Sequence, residues 1–152
     1  MKETFSIFFF LLSCIPINGQ YNDESIIKVI VSIDNKGKYF FSKSDIDVNG
    51  MVREIQIVRS DESKIALLKI NSNEIKNLSI NGILAHKKKM RVNFNWGGGN
   101  YIYFCDYFFY IEDNRLFLKK KNIARLEPNK KSKKTKIHCN IEVQKTNFSD
   151  IL

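Results

Sequence analysis

Tyr101-Ile102-Tyr103-Phe104-Cys105-Asp106-Tyr107-Phe108-Phe109-Tyr110-Ile111 is the most apolar strand-like stretch of the chain. In an extended chain successive side chains point to opposite faces. Tyr101, Tyr103, Cys105, Tyr107, Phe109 and Ile111 therefore share one face, and Ile102, Phe104, Asp106, Phe108 and Tyr110 share the other. Both faces carry large apolar groups, so the strand is expected to lie centrally with cover on each side.

Working outward, Gly97, Gly98 and Gly99 punctuate the chain before this strand, and Asp113-Asn114 reads as a hairpin turn after it, returning through Leu116, Phe117 and Leu118. Pro128 opens a basic loop at about 127–136, and Ile137 to Val143 is the last strand. Upstream, Leu78 to Asn95 reads as extended chain with a turn or bulge at Asn81-Gly82. Ile27, Val29, Val31 and Ile33 alternate along a first strand, and Asn35-Lys36-Gly37 turns it into Lys38 to Ser42. Asn49-Gly50 favours a two-residue turn that would pair Phe40–Asp47 with Met51–Arg59 as antiparallel neighbours.

Ser60 suits a helix cap, Asp61 and Glu62 suit the first helical turn, and Ile65, Leu67 and Leu68 supply a partial apolar stripe, so a short helix is expected near 61–72. The fold class expected is α+β, mostly antiparallel β with that one helix. An all-β sandwich or small barrel follows instead if the segment is extended.

The N-terminus has a different character. Lys2 precedes an almost unbroken apolar run from Phe5 to Ile15, closed by Pro16. A spanning helix needs about 20 apolar residues, so the run fits a removable secretory signal over residues 1–19 better than an anchor. The body expected is a single β-rich domain over residues 20–152, exported to the periplasm, the cell envelope or the medium. A second route competes, because Leu11-Leu12-Ser13-Cys14 resembles a bacterial lipoprotein box that would acylate Cys14 and give an outer-membrane lipoprotein. With Cys14 removed, Cys105 and Cys139 remain either as a disulfide, suited to an oxidising compartment, or as two buried thiols.

Composition is that of a globular chain, at 43% hydrophobic and 27% charged, but the net charge of +9 is high. Nearly all of it comes from Lys119, Lys120, Lys121, Arg125, Lys130, Lys131, Lys133, Lys134 and Lys136, against Glu127 alone in that stretch. Such a run can attract an anionic envelope surface or another polyanion, and export argues against nucleic acid.

Catalytic and cofactor chemistry find little support. His138 and Cys139 are adjacent on a strand and point apart, so with His86 they make no metal site. The triple glycine leads into a strand, whereas a phosphate loop leads into a helix. Cys105 lacks an evident base, and Asp106 is a single carboxylate without a partner acid. No catalytic residue, metal or cofactor is therefore expected.

The segment Ile46-Asp47-Val48-Asn49-Gly50-Met51-Val52-Arg53-Glu54-Ile55-Gln56-Ile57-Val58-Arg59-Ser60 resembles the opening hairpin of TonB C-terminal domains, and Arg91-Val92-Asn93-Phe94 resembles their closing strand. The likeness covers roughly residues 39–95 and lacks the family's aromatic-x-Pro element and Pro-rich spacer. It implies recognition of an extended peptide by strand addition at an exposed sheet edge. The function expected is thus a non-catalytic envelope or secreted binding module for an unknown protein or peptide. The alternative is a periplasmic inhibitor or immunity protein against a toxin.

Overall fold

A computed structural model describes residues 26–48, 51–71 and 74–152. The segment 1–19 expected to be a signal, Cys14 and the Asn49-Gly50 dipeptide lie outside them. Ten strands follow in order: β1 (Ile26–Ile33), β2 (Tyr39–Asp47), β3 (Glu54–Arg59), β4 (Lys64–Lys69), β5 (Ser79–Lys87), β6 (Lys89–Gly98), β7 (Tyr101–Glu112), β8 (Arg115–Leu126), β9 (Lys133–Val143) and β10 (Lys145–Asn147). A 3-10 helix, Phe148–Ile151, ends the chain.

All ten strands belong to one sheet, ordered β10-β4-β3-β1-β2-β5-β6-β7-β8-β9. Its two edges are made by consecutive segments, since only Gln144 separates β9 from β10. β9 lies on β8, whereas β10 runs parallel to β4 with Thr146 opposite Leu68. The sheet therefore curls into a nearly closed barrel, joined where the chain crosses from one edge to the other. Val29, Phe41, Ile57, Val92, Phe109 and Leu118 are among the side chains that fill the interior. Phe148 plugs the joined end, packing edge-on to Phe94 at 4.8 Å and stacked on Tyr107 at 6.0 Å. Burying each such ring contributes roughly 1.5–3 kcal/mol.

The small-barrel alternative describes this fold, and the helix near 61–72 does not form. Asp61 closes a turn instead, its Oδ1 accepting from the Ser63 amide at 2.9 Å and the Ser63 hydroxyl at 2.6 Å. β4 then pairs antiparallel with β3, burying Ala66 and Leu68 and half-burying Ile65 and Leu67. A strand with apolar residues on both faces mimics a helical stripe over so short a span.

The expected pairing of Phe40–Asp47 with Met51–Arg59 is also corrected. β1 lies between β2 and β3, pairing antiparallel with β2 and parallel with β3. Parallel neighbours need a crossover, and β2 with its flanking loops supplies it. The parallel register sets Ile27 beside Ile55 and Val29 beside Ile57, all four buried.

Other turns form as read. Asp34 Oδ1 accepts from the amides of Lys36 and Lys38 in the first hairpin, and Asp113 and Asn114 both take positive φ. Gly82 marks a bulge in β5, where the register against β6 shifts. The β5–β6 reversal falls at Lys87, at φ 53°, inside a stretch read as continuous strand.

β7 is an interior strand, flanked by β6 and β8. Its inward face is buried from Cys105 to Ile111, as alternation requires. Its outward face is not covered by a second layer: Ile102 is 43% and Phe104 44% exposed. A barrel buries one face of each strand, so cover on both sides was more than this fold supplies.

Candidate functional site: the open edge of β9 and the basic hairpin

The basic run folds as the end of β8, a six-residue connection and the start of β9, so the last strand begins at Lys133 rather than Ile137. A strand pattern is present there: Lys134, Lys136 and His138 lie opposite Ala124, Asn122 and Lys120 on the outer face. Thr135 and Ile137 lie opposite Ile123 and Lys121 on the inner face. The lysine content of residues 130–136 hides this alternation behind the look of a solvated loop.

The nine basic residues do not form one patch. Lys119 sits over the Tyr110 ring at 4.4 Å and Lys120 over the Phe108 ring at 5.1 Å, both on the outer face. Lys121, past a bulge in β8, turns inward: its Nζ lies 5.1 Å from the Tyr107 ring centre and donates to the Leu152 backbone oxygen at 2.9 Å. Burial holds the Lys121 ammonium below its ordinary pKa. Arg125 lies over Tyr101 and Tyr103 and pairs with Glu127 at 2.5 Å, while Lys130 meets the other Glu127 oxygen at 2.7 Å. These contacts, led by the hydrogen bond from Lys130, hold the Glu127 carboxyl below the usual range. Lys131, Lys133, Lys134 and Lys136 are exposed and have no carboxylate partner among the described residues.

Cys105 and Cys139 are free thiols on β7 and β9, with β8 between them. Strands two apart are separated by roughly 9–10 Å, beyond the reach of a direct disulfide. Burial pushes the Cys105 thiol up to about 11, so it stays protonated at neutral pH and is a poor nucleophile. Cys139 Sγ lies 3.4 Å from the Leu118 carbonyl, an S–H donor contact. Asp106 is spanned by Arg91 Nε at 2.8 Å and Asn93 Nδ2 at 2.9 Å on the outer face, which makes it a fastening between β6 and β7. Among the described residues no group of His, Cys, Asp and Glu could hold a metal ion. Cys14 lies outside the described residues.

The feature that sequence reasoning missed is an opening along β9. Ile137, Ile141 and Val143 share its inward face, yet Val143 is 0% exposed while Ile141 is 41% and Ile137 42% exposed. Val143 lies next to the junction with β10, where the barrel is joined. From Lys133 to Glu142, among the described residues, no strand lies on the far side of β9, which leaves a row of backbone donors and acceptors free. β4 cannot fill the place, since it begins only at Lys64 and its partner in this region is β10, starting at Lys145.

Comparison with protein families, with curated proteins and with solved structures gives no match for this chain.

Proposed function

We propose that this chain is an exported, non-catalytic binding module that takes an extended peptide as an added strand along β9. The observation that carries this reading is the uncovered inward face of one strand: Ile137 and Ile141 are exposed where Val143, on the same face, is not. A strand laid on the free edge from Thr135 to Glu142 would bond to the backbone and bury both isoleucines. Its outward side chains would meet Lys134, Lys136 and His138, so an acidic residue at alternate positions is preferred, with apolar residues between. Edge strands carrying lysine are protected against pairing with copies of themselves, which leaves a partner of opposite charge as the complement. Export is supported by the apolar run Phe5–Ile15 and its closing Pro16. The strand-addition mode agrees with what the TonB resemblance implies, at a different strand.

The test is titration of the protein with a synthetic peptide of alternating valine and glutamate, against the same composition in scrambled order. Binding of the alternating peptide, weakened by salt and lost in Ile137→Asp, supports the reading. Equal binding of the scrambled peptide, or binding unchanged by Ile137→Asp in a variant that retains the native thermal transition, contradicts it.

A further inference from the structure

A second surface lies on the outer face at the end of the barrel that carries the β6–β7 turn and the β8–β9 connection. Ile102 and Leu126 are directly paired there, and Phe104 follows two residues along β7. All three are between 41% and 44% exposed. Their neighbours explain why. Ile102 faces Gly97 on β6, which has no side chain to cover it, and Phe104 faces Ala124 on β8. Tyr101, beside them, is 38% exposed and packs against Tyr103 and Trp96 on the inner rim. Beside this apolar tip, on the same outer face, stand Lys134 opposite Ala124 and Lys136 opposite Asn122, neither with a carboxylate partner among the described residues, while Glu127, the one acid of the stretch, is already held by Arg125 and Lys130.

We infer that this tip docks the protein on an anionic membrane surface: Ile102, Phe104 and Leu126 enter the headgroup boundary, and Lys134 and Lys136 engage the lipid phosphates. Exposed apolar groups flanked by cations, with Trp and Tyr on the neighbouring rim, match the depth profile of a lipid interface. A nucleic-acid strand fits less well. Phe104 is the one exposed ring among the three tip residues, Ile102 and Leu126 offer none for successive bases to stack on, and Lys119 and Lys120 already occupy the faces of Tyr110 and Phe108. The apolar residues of the tip lie on β7 and β8, apart from the β9 edge, whereas Lys134 and Lys136 flank both surfaces, so the apolar variants separate this inference from the peptide reading.

The experiment is sedimentation of the full chain with vesicles of phosphatidylcholine alone or mixed with phosphatidylglycerol, read together with emission from Trp96, the single tryptophan. The apolar leader is common to all variants, and binding to the neutral vesicles measures its share. Docking predicts binding that rises with phosphatidylglycerol and a blue shift of Trp96. Replacing Lys134 and Lys136 with Gln lowers partition by about fivefold per lysine. Ile102→Ser with Leu126→Ser lowers it by about tenfold, removes the blue shift and leaves binding of the alternating peptide intact. Unchanged vesicle binding by the Ser variant overturns the inference, because the surface is then a patch for any polyanion. Equal binding of all variants to neutral and anionic vesicles overturns it too.

Discussion

The Leu67 amide donates to the Gln144 carbonyl at 2.6 Å, at the point where the chain leaves β9 and begins to pair with β4. This contact marks the boundary between the joined and open parts of the barrel. On one side lie β10 and Phe148, and on the other the inward isoleucines of β9 are 41–42% exposed. Local stability is expected to follow that boundary. Phe148→Ala removes a fully buried ring that touches Phe94 and Tyr107, and should cost about 3–5 kcal/mol. Ile141→Ala, on the uncovered part, should cost less than about 1 kcal/mol. Urea denaturation of both variants measures the difference.

The two thiols of the barrel differ in access. Cys105 is buried and its thiol is pushed up to about 11, whereas Cys139 is half-buried beside the open edge. At pH 8 only about a thousandth of Cys105 is thiolate, so native labelling with iodoacetamide should modify Cys139 first and leave Cys105 until the protein is unfolded. Peptide mass mapping over a time course reads the order. Modification of Cys105 ahead of Cys139 would contradict the burial described.

Lys121 is placed inward at an energetic cost that varies with pH. Its folded-state pKa lies below the ordinary 10.5, chiefly through burial, so between the two values the unfolded chain binds more protons. Stability from this group therefore rises as pH climbs through that window, and at neutral pH its charge is a penalty. Lys121→Met should stabilise the fold at pH 7 by up to about 1 kcal/mol, a modest figure because the group keeps partial solvent contact. The advantage should shrink toward pH 10.5, which thermal unfolding at a series of pH values would show.

Gly97 is a position where only glycine fits. It takes φ 110°, and a Cβ there would lie 2.8 Å from the Tyr101 carbonyl oxygen, a backbone atom that cannot swing aside. Its amide donates to Lys76 and its carbonyl accepts from Asn77 Nδ2, so the backbone is held from both sides. Gly97→Ala should cost about 2–4 kcal/mol, from positive φ and the contact together, while Gly99→Ala, at φ 67° in open space, should cost about 1 kcal/mol. Thermal melts of the two variants test the ordering.

Local turn chemistry was legible in the sequence, because Asn35-Lys36-Gly37, Asp113-Asn114 and the Gly82 bulge each carry residues that tolerate the backbone required. The inward face of β7 was legible for the same local reason, its period of two. Non-local pairing was not. Nothing within Met51–Arg59 states that its partner is β1 rather than β2, since both offer alternating apolar residues and the choice depends on how the whole sheet curls. The β4 segment failed differently: Ser60, Asp61 and Glu62 suit a helix start, but Asp61 equally suits a turn closed on Ser63, and the register with β3 decided between them. The basic residues were identified as a group, but the turn of Lys121 to the inner face while Lys119 and Lys120 stay outside depends on the bulge in β8, and the pairing of Arg125 and Lys130 on Glu127 depends on the connection after it. The open edge of β9 had no sequence signal beyond the lysines that guard it, because an uncovered strand is a property of what is beside it.

Strand addition at β9 is read out by amide hydrogen exchange along that strand, with and without the alternating valine–glutamate peptide. Added peptide should slow exchange at alternate amides from Thr135 to Glu142, with β8 and the joined end near Val143 little changed. Protection that falls elsewhere on the barrel, or β9 amides that exchange equally in both samples while the peptide is bound, would contradict it.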